Sequence, residues 1–214
     1  MAKLKTKTAY LCSACGDDFP KWNGQCPTCK EWGTLSEFKV SPKKNGRIHE
    51  LRETKNLIDV LSVEPKDRIP TGLSEADRVL GGGLLSGSLI LLGGSPGVGK
   101  STLALHICSG INRKALYISA EESEEQVALR ARRLHVNPDQ LFLSGENELD
   151  GIIAHIDRLK PELVVVDSIQ TVMNSGLDSL PGSPSQIRDC GQRLLEVSKQ
   201  KNVSILIVGH VTKE

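Results

Sequence analysis

Residues 88–109 read SLILLGGSPGVGKSTLALHICS, and the fold turns on this stretch. Ser88–Gly93 is an apolar run of strand length. Gly94-Ser95-Pro96-Gly97-Val98-Gly99-Lys100-Ser101 fits G-x-x-x-x-G-K-[ST] at every position, and from Thr102 the chain continues at helical spacing. A strand, this octet and a helix, in that order, make a phosphate-binding P-loop. The glycines let the backbone turn tightly and bring its N–H groups up to phosphate oxygens with no Cβ in the way. The helix start adds unpaired donors and the positive end of its dipole, Lys100 adds a cation for the β- and γ-phosphates, and the Ser101 hydroxyl can ligate Mg²⁺. Residues 94–102, Thr102 included, are therefore the candidate contacts for ATP or ADP.

Downstream, strand and helix patterns alternate. Ala115–Ser119, Leu141–Leu143, Leu163–Asp167 and Val203–Gly209 are apolar strands. Between them lie a helix carrying Val127, Leu129 and Leu134, an amphipathic helix over Leu149–Leu159, and a helix over Gln186–Lys199. Strands that are apolar throughout and separated by helices predict a parallel sheet covered on both faces, an α/β fold. The ligand edge of such a sheet lies at the C-terminal ends of its strands, where the P-loop, Glu121, Asp167 and His210 all fall.

Asp167 closes a Leu-Val-Val-Val-Asp strand in a Walker B pattern, so it is the candidate to hold Mg²⁺, directly or through water, as the partner of Ser101. Glu121 or Glu122 could orient and deprotonate an attacking water, or both acids could only stabilise a helix N-terminus. His210 is a candidate γ-phosphate contact. Thr171–Ser185 is too long and too rich in Gly, Pro and Ser for a plain connection, and reads as a functional or mobile loop. Cys108 and Cys190 lie on apolar helix faces and read as buried thiols.

Upstream, residues 1–38 form a module of their own. Cys12, Cys15, Cys26 and Cys29 make C-x₂-C-x₁₀-C-x₂-C in a segment too short to bury a useful core unaided. Four thiolates suit structural Zn²⁺ in a closed, non-catalytic site; the alternatives are a disulfide pair or four unrelated cysteines. Lys3, Lys5, Lys7, Lys21 and Lys30 interleave with Tyr10, Phe19, Trp22 and Trp32, a pattern that suits single-stranded nucleic acid and equally suits aromatics used as core beneath solubilising lysines. Residues 39–68 turn polar, with the clearest break at Ser41–Arg47, and read as a linker, which leaves 69–214 as the core. Near the start of that core a short helix is expected to use Ser74 as its N-cap, with Asp77 at the third helical position, and Gly81–Gly83 to stop it.

The 214 residues are 38% hydrophobic, 25% charged and 3% aromatic with net charge +1, so aliphatic side chains must build the core and charge names no partner. There is no run of about 18 apolar residues and no secretory signal, so no membrane association and a cytoplasmic location are expected.

Together, the four-cysteine module, the linker, Thr71-Gly72-Leu73 with Asp77–Gly83, the P-loop, Tyr117–Ser123, Asp167–Thr171 and Val208–Glu214 closely resemble the bacterial RadA (Sms) family over essentially the whole chain. The resemblance implies a RecA-like, DnaB-related P-loop ATPase core behind a C4 zinc module. It further implies a DNA-dependent ATPase that acts as a branch-migrating motor on single-stranded and branched DNA in homologous recombination and DNA repair, alongside a recombinase, as a homo-hexamer when full length. It favours Glu121 over Glu122 as the water-activating carboxylate, makes Asp167 the Walker B acid and His210 the γ-phosphate sensor, and places the last strand between the P-loop strand and the Walker B strand. It makes Thr171–Ser185 a DNA-facing loop, but no Lys or Arg precedes Arg188 here, so either backbone N–H groups and hydroxyls make the contacts or the loop is only a linker. The Lys-Asn-Arg-Phe-Gly motif and Lon-protease-like domain of the family do not follow, so a fragment short of edge strands is expected. Arg130, Arg132 and Arg133 are a further basic candidate, or a solvated helix face. The competing functional reading is a non-motor switch whose ATP state controls docking of the zinc module on a partner protein.

Overall fold

The structure is a computed structural model, and it describes residues 7–40, 54, 56–58, 68–177 and 179–210. The chain divides into two compact units, Met1–Lys66 and Asp67–Glu214. Lys3 and Lys5, the break at Ser41–Arg47 with most of the expected linker, and the motif residues 211–214 lie outside the described residues.

In the smaller unit β1 (Lys7–Cys12), β2 (Asp18–Phe19) and β3 (Leu35–Val40) form an antiparallel sheet in the order β2-β1-β3. Cys12 pairs with Leu35, and these two with Cys26 make the buried centre, against which Tyr10, Phe19, Cys15 and Cys29 pack. Tyr10 and Phe19 thus serve as core, but Trp22 and Trp32 do not: they are 60% and 74% exposed. The reason is space, because the cysteines that gather at one point already fill the centre of so small a unit.

In the larger unit, α1 (Ser74–Val79) precedes β4 (Leu89–Gly94), α2 (Lys100–Gly110), β5 (Ala115–Ser119), α3 (Glu124–Arg133), β6 (Leu141–Ser144), α4 (Leu149–Leu159), β7 (Leu163–Asp167), α5 (Pro184–Lys201) and β8 (Ser204–His210). The five strands pair in parallel in the order β4-β8-β7-β5-β6, so β8 does lie between the P-loop strand and the Walker B strand. Alternation along the central strands divides the core. Tyr117, Leu163, Val165, Leu206 and Val208 face α2 and α3, while Leu116, Ile118, Val164, Val166, Ile205 and Ile207 face α4 and α5. Cys108 is buried in the first layer and Cys190 in the second. Full burial holds for β5 and β7 but not at the margins, where β4 leaves Leu91 65% exposed and β6 leaves Phe142 exposed, because an edge strand has a neighbour on one side only.

The entry to this core differs from expectation in one detail. Leu73 occupies the N-cap of α1 with no side-chain cap bond, and Ser74 is the first helical residue. The orienting bond comes instead from Asp77, whose Oδ1 accepts from the Thr71 backbone N–H and hydroxyl, both at 2.8 Å. Thr71 then packs against the end of α2 so closely that a Cβ on Gly110 would lie 1.9 Å from the Thr71 carbonyl oxygen. Only glycine fits there. None of the described helices is long and apolar enough to cross a membrane.

Candidate functional site

The parallel register brings the strand ends to one rim: Gly94 pairs with His210, Asp167 with Val208, and Ser119 with Asp167. The P-loop leaves this rim from β4 and enters α2 through Gly99 at φ +91°, a left-handed conformation that a side chain would strain. No side chain caps the N-terminus of α2, so its first N–H groups remain for an anionic ligand. Lys100, the first residue of α2, is buried, and its Nζ donates to the carbonyls of Gly94 and Ser95 at 2.9 Å each. That pins the ammonium inside the loop where the β- and γ-phosphates of a nucleotide would be cradled.

From Lys100 a line of polar contacts runs along the rim. Lys100 Nζ lies 3.3 Å from His210 Nδ1, and His210 Nε2 lies 3.6 Å from Glu121 Oε1. The Ser168 hydroxyl donates to the same Glu121 oxygen, and Gln170 Nε2 donates to the His210 carbonyl at 3.3 Å. Asp167 takes a hydrogen bond from the Tyr117 hydroxyl on Oδ2. Burial, then the charge of Asp167, pushes the Tyr117 phenol far up, so this hydroxyl is a donor.

Glu121 and Glu122 part company here. Helix α3 begins at Glu124 behind a capping box, in which Ser123 Oγ accepts from the Gln126 N–H at 3.4 Å and Gln126 Oε1 accepts from the Ser123 N–H at 2.9 Å. The first-turn acids are therefore Glu124 and Glu125, and neither candidate serves the helix dipole. Glu122 turns to Arg130 at 2.8 Å, while Glu121 joins the line of Lys100, His210 and Ser168. Ser123-x-x-Gln126 carries this information in the sequence, since a capping box fixes where a helix starts. Nothing in the sequence points to the partners Tyr117 and Ser168, which lie 50 and 47 residues from the carboxylates they meet. Arg130 is thereby removed from the exposed basic cluster, leaving Arg132 and Arg133 on the surface.

The loop of residues 171–183 is tied down rather than free at its described positions. Gln186, wholly buried, accepts from the Asn174 N–H at 2.8 Å and donates to the carbonyls of Asn174 and Ser179 at 3.2 and 2.9 Å. Asn174 Nδ2 donates to Asp189 at 2.8 Å, and the Ser175 hydroxyl donates to Glu148 at 2.6 Å.

In the smaller unit the sulfurs of Cys12, Cys15, Cys26 and Cys29 lie within 4.8 Å of one another. Cys12 Sγ is 3.7 Å from Cys29 Sγ and Cys15 Sγ is 3.6 Å from Cys26 Sγ, too far for disulfides. Those separations match the edge of a tetrahedron with about 2.3 Å from metal to sulfur, so the four thiols fit Zn²⁺. Burial opposes ionisation of Cys12, yet the Thr34 side chain and the N–H groups of Cys15 and Ala14 bring it down to about 6. For Cys15 the Asp17 backbone acts in the same downward sense, but desolvation and the other three sulfurs win and push it up to about 12. Four thiolates cannot crowd together without a cation, which is the role a metal fills.

Residues 54–214 match the family described as AAA domain, and residues 10–37 match the one described as rubredoxin metal binding domain. The chain is 44% identical to DNA repair protein RadA of Listeria monocytogenes over 100% of its own length and 48% of that protein. It is likewise 44% identical to DNA repair protein RadA of Haemophilus influenzae, over 100% of this chain and 48% of that one. The namesake in Bacillus subtilis is 43% identical, over 98% of this chain and 48% of that protein. The chain thus spans about half the length of the curated relatives it matches.

Proposed function

Because this chain belongs to the RadA family of AAA-domain proteins, we propose that it binds ATP·Mg²⁺ on the P-loop, hydrolyses it, and couples turnover to single-stranded and branched DNA as a recombination and repair motor. The observation that carries this reading is the line Lys100–His210–Glu121–Ser168 beside the uncapped start of α2. In it a carboxylate that accepts from a hydroxyl stands one imidazole ring away from the lysine assigned here to the terminal phosphates.

Lys100 and the P-loop N–H groups hold the β- and γ-phosphate oxygens, and Ser101 with Asp167 would hold Mg²⁺, which neutralises charge developing on those oxygens. Glu121 takes a proton from the attacking water as its oxygen bonds to γ-phosphorus and the bond to the ADP oxygen breaks. His210, in reach of both Lys100 and Glu121, registers whether a γ-phosphate is present, and Gln170 on its carbonyl links that state to the segment leading into loop 171–183. With no Lys or Arg in this loop and the Asn174, Ser175 and Gly176 N–H groups and the Thr171 and Ser175 hydroxyls bonded internally, its DNA contacts fall to the backbone groups that these bonds leave over. A homo-hexamer and a recombinase partner belong to the same reading, through the family resemblance of the sequence.

A second reading, a non-motor switch that docks a partner protein through the zinc module, has the exposed Trp22 and Trp32 in its favour. Steady-state ATP turnover with and without single-stranded DNA separates the two. The motor reading requires the rate to rise with DNA; an unchanged rate leaves the switch.

A further inference from the structure

Tyr117 is 0% exposed in β5, among aliphatic neighbours from β7, α2 and α3. A phenylalanine would supply the same ring to that layer. The hydroxyl adds a polar atom whose burial costs free energy unless it is partnered, and its partner is the carboxylate of Asp167, donated to at Oδ2. Asp167 is itself only 7% exposed, and among the described residues no other hydrogen bond reaches its side chain. One donor on one oxygen fixes the rotation of the carboxylate plane about its last bond and leaves Oδ1 as the free acceptor. The register fixes the two strands around this contact, since Tyr117 pairs with Val165 and Ser119 with Asp167 on the neighbouring strand.

We infer that Tyr117 is a positioning residue for magnesium: its hydroxyl holds Asp167 so that Oδ1 is presented to the metal of a bound nucleotide. This rests on Asp167 being the magnesium carboxylate. Groups that orient a metal-binding carboxylate typically contribute about 10–100-fold in metal affinity.

The experiment is nucleotide binding, followed with a fluorescent ADP analogue, as a function of Mg²⁺ concentration. Wild-type protein should bind more tightly as Mg²⁺ rises. Tyr117→Phe should need about 10–100-fold more Mg²⁺ for the same effect, with metal-free affinity unchanged. Adding Tyr117→Phe to Asp167→Asn should shift the Mg²⁺ dependence no further, because the hydroxyl acts through that carboxylate. A wild-type Mg²⁺ dependence in Tyr117→Phe, whatever its melting temperature, overturns the inference. A wild-type protein indifferent to Mg²⁺ would instead remove the magnesium reading of Asp167, and the inference with it. Should Tyr117→Phe not fold, the unmutated protein labelled with 3-fluorotyrosine serves, because the chain has only two tyrosines. Of two fluorine resonances, the one indifferent to zinc removal belongs to Tyr117. It should move when Mg²⁺ joins the nucleotide complex, and a resonance that stays in place overturns the inference.

Discussion

Arg130 Nη1 lies 2.8 Å from both carboxylate oxygens of Glu122. The pair spans the β5–α3 loop and the last turn of α3, so it anchors that loop and occupies Glu122 in doing so. Glu121, its neighbour, is left to face Ser168 and His210. Glu121→Gln should therefore bind ATP·Mg²⁺ normally and hydrolyse it about 10²–10⁴-fold more slowly, because the amide keeps the shape but cannot take a proton. Glu122→Gln should leave hydrolysis near normal and cost about 1 kcal/mol or less of stability, given the partial exposure of the pair. Single-turnover kinetics on both variants decide the matter, and a stall in Glu122→Gln with normal Glu121→Gln would reverse the assignment.

Lys100→Ala should abolish productive nucleotide binding. The ammonium is buried and held by the Gly94 and Ser95 carbonyls, and its loss deletes the cation that would face the β- and γ-phosphates. Titration with a fluorescent nucleotide checks this; unchanged affinity would place the phosphates elsewhere.

Metal removal should act on one unit only. Cys26 has no exposed surface and sits within the four-sulfur cluster, so Cys26→Ser or a strong chelator should release zinc and unfold β1–β3 while the AAA domain keeps its own melting transition. Zinc content measured alongside calorimetry is the check, and retained stoichiometry in Cys26→Ser would remove the four-thiolate assignment.

Gln186→Ala should loosen the loop without touching the P-loop. It would strip partners from the Asn174 N–H and from the Asn174 and Ser179 carbonyls, for a loss of about 1–3 kcal/mol. Hydrogen exchange at Asn174 should accelerate more than at Val165 in the central sheet; equal protection in mutant and wild type would show the staple to be idle.

Where a segment's own pattern decides its state, the sequence is readable. β5, β7 and α4 run over the residues their apolar periodicity marks, and the P-loop octet defines its own geometry. Side-chain partners are harder, because a hydroxyl such as that of Ser168 or Tyr117 chooses among acceptors only after strands far apart in sequence have paired. The α1 cap is misplaced by sequence for a related reason: Ser74 has the right chemistry, but Asp77 captures Thr71 and the helix starts one residue earlier. For Trp22 and Trp32 the core reading fails because apolarity reports what can be buried, and the sulfurs have already taken the room.

Those two indoles have an optical consequence. They are the only tryptophans of the chain and both belong to the metal-binding unit, where a Cβ added to Gly24 would touch each of them. Emission excited at the red edge of protein absorption therefore comes from that unit alone, and a shift in its wavelength during a titration reports on the smaller unit even when the ligand was added for the larger one. The chain carries its own two-channel readout, with nucleotide analogues lighting one unit and native emission the other.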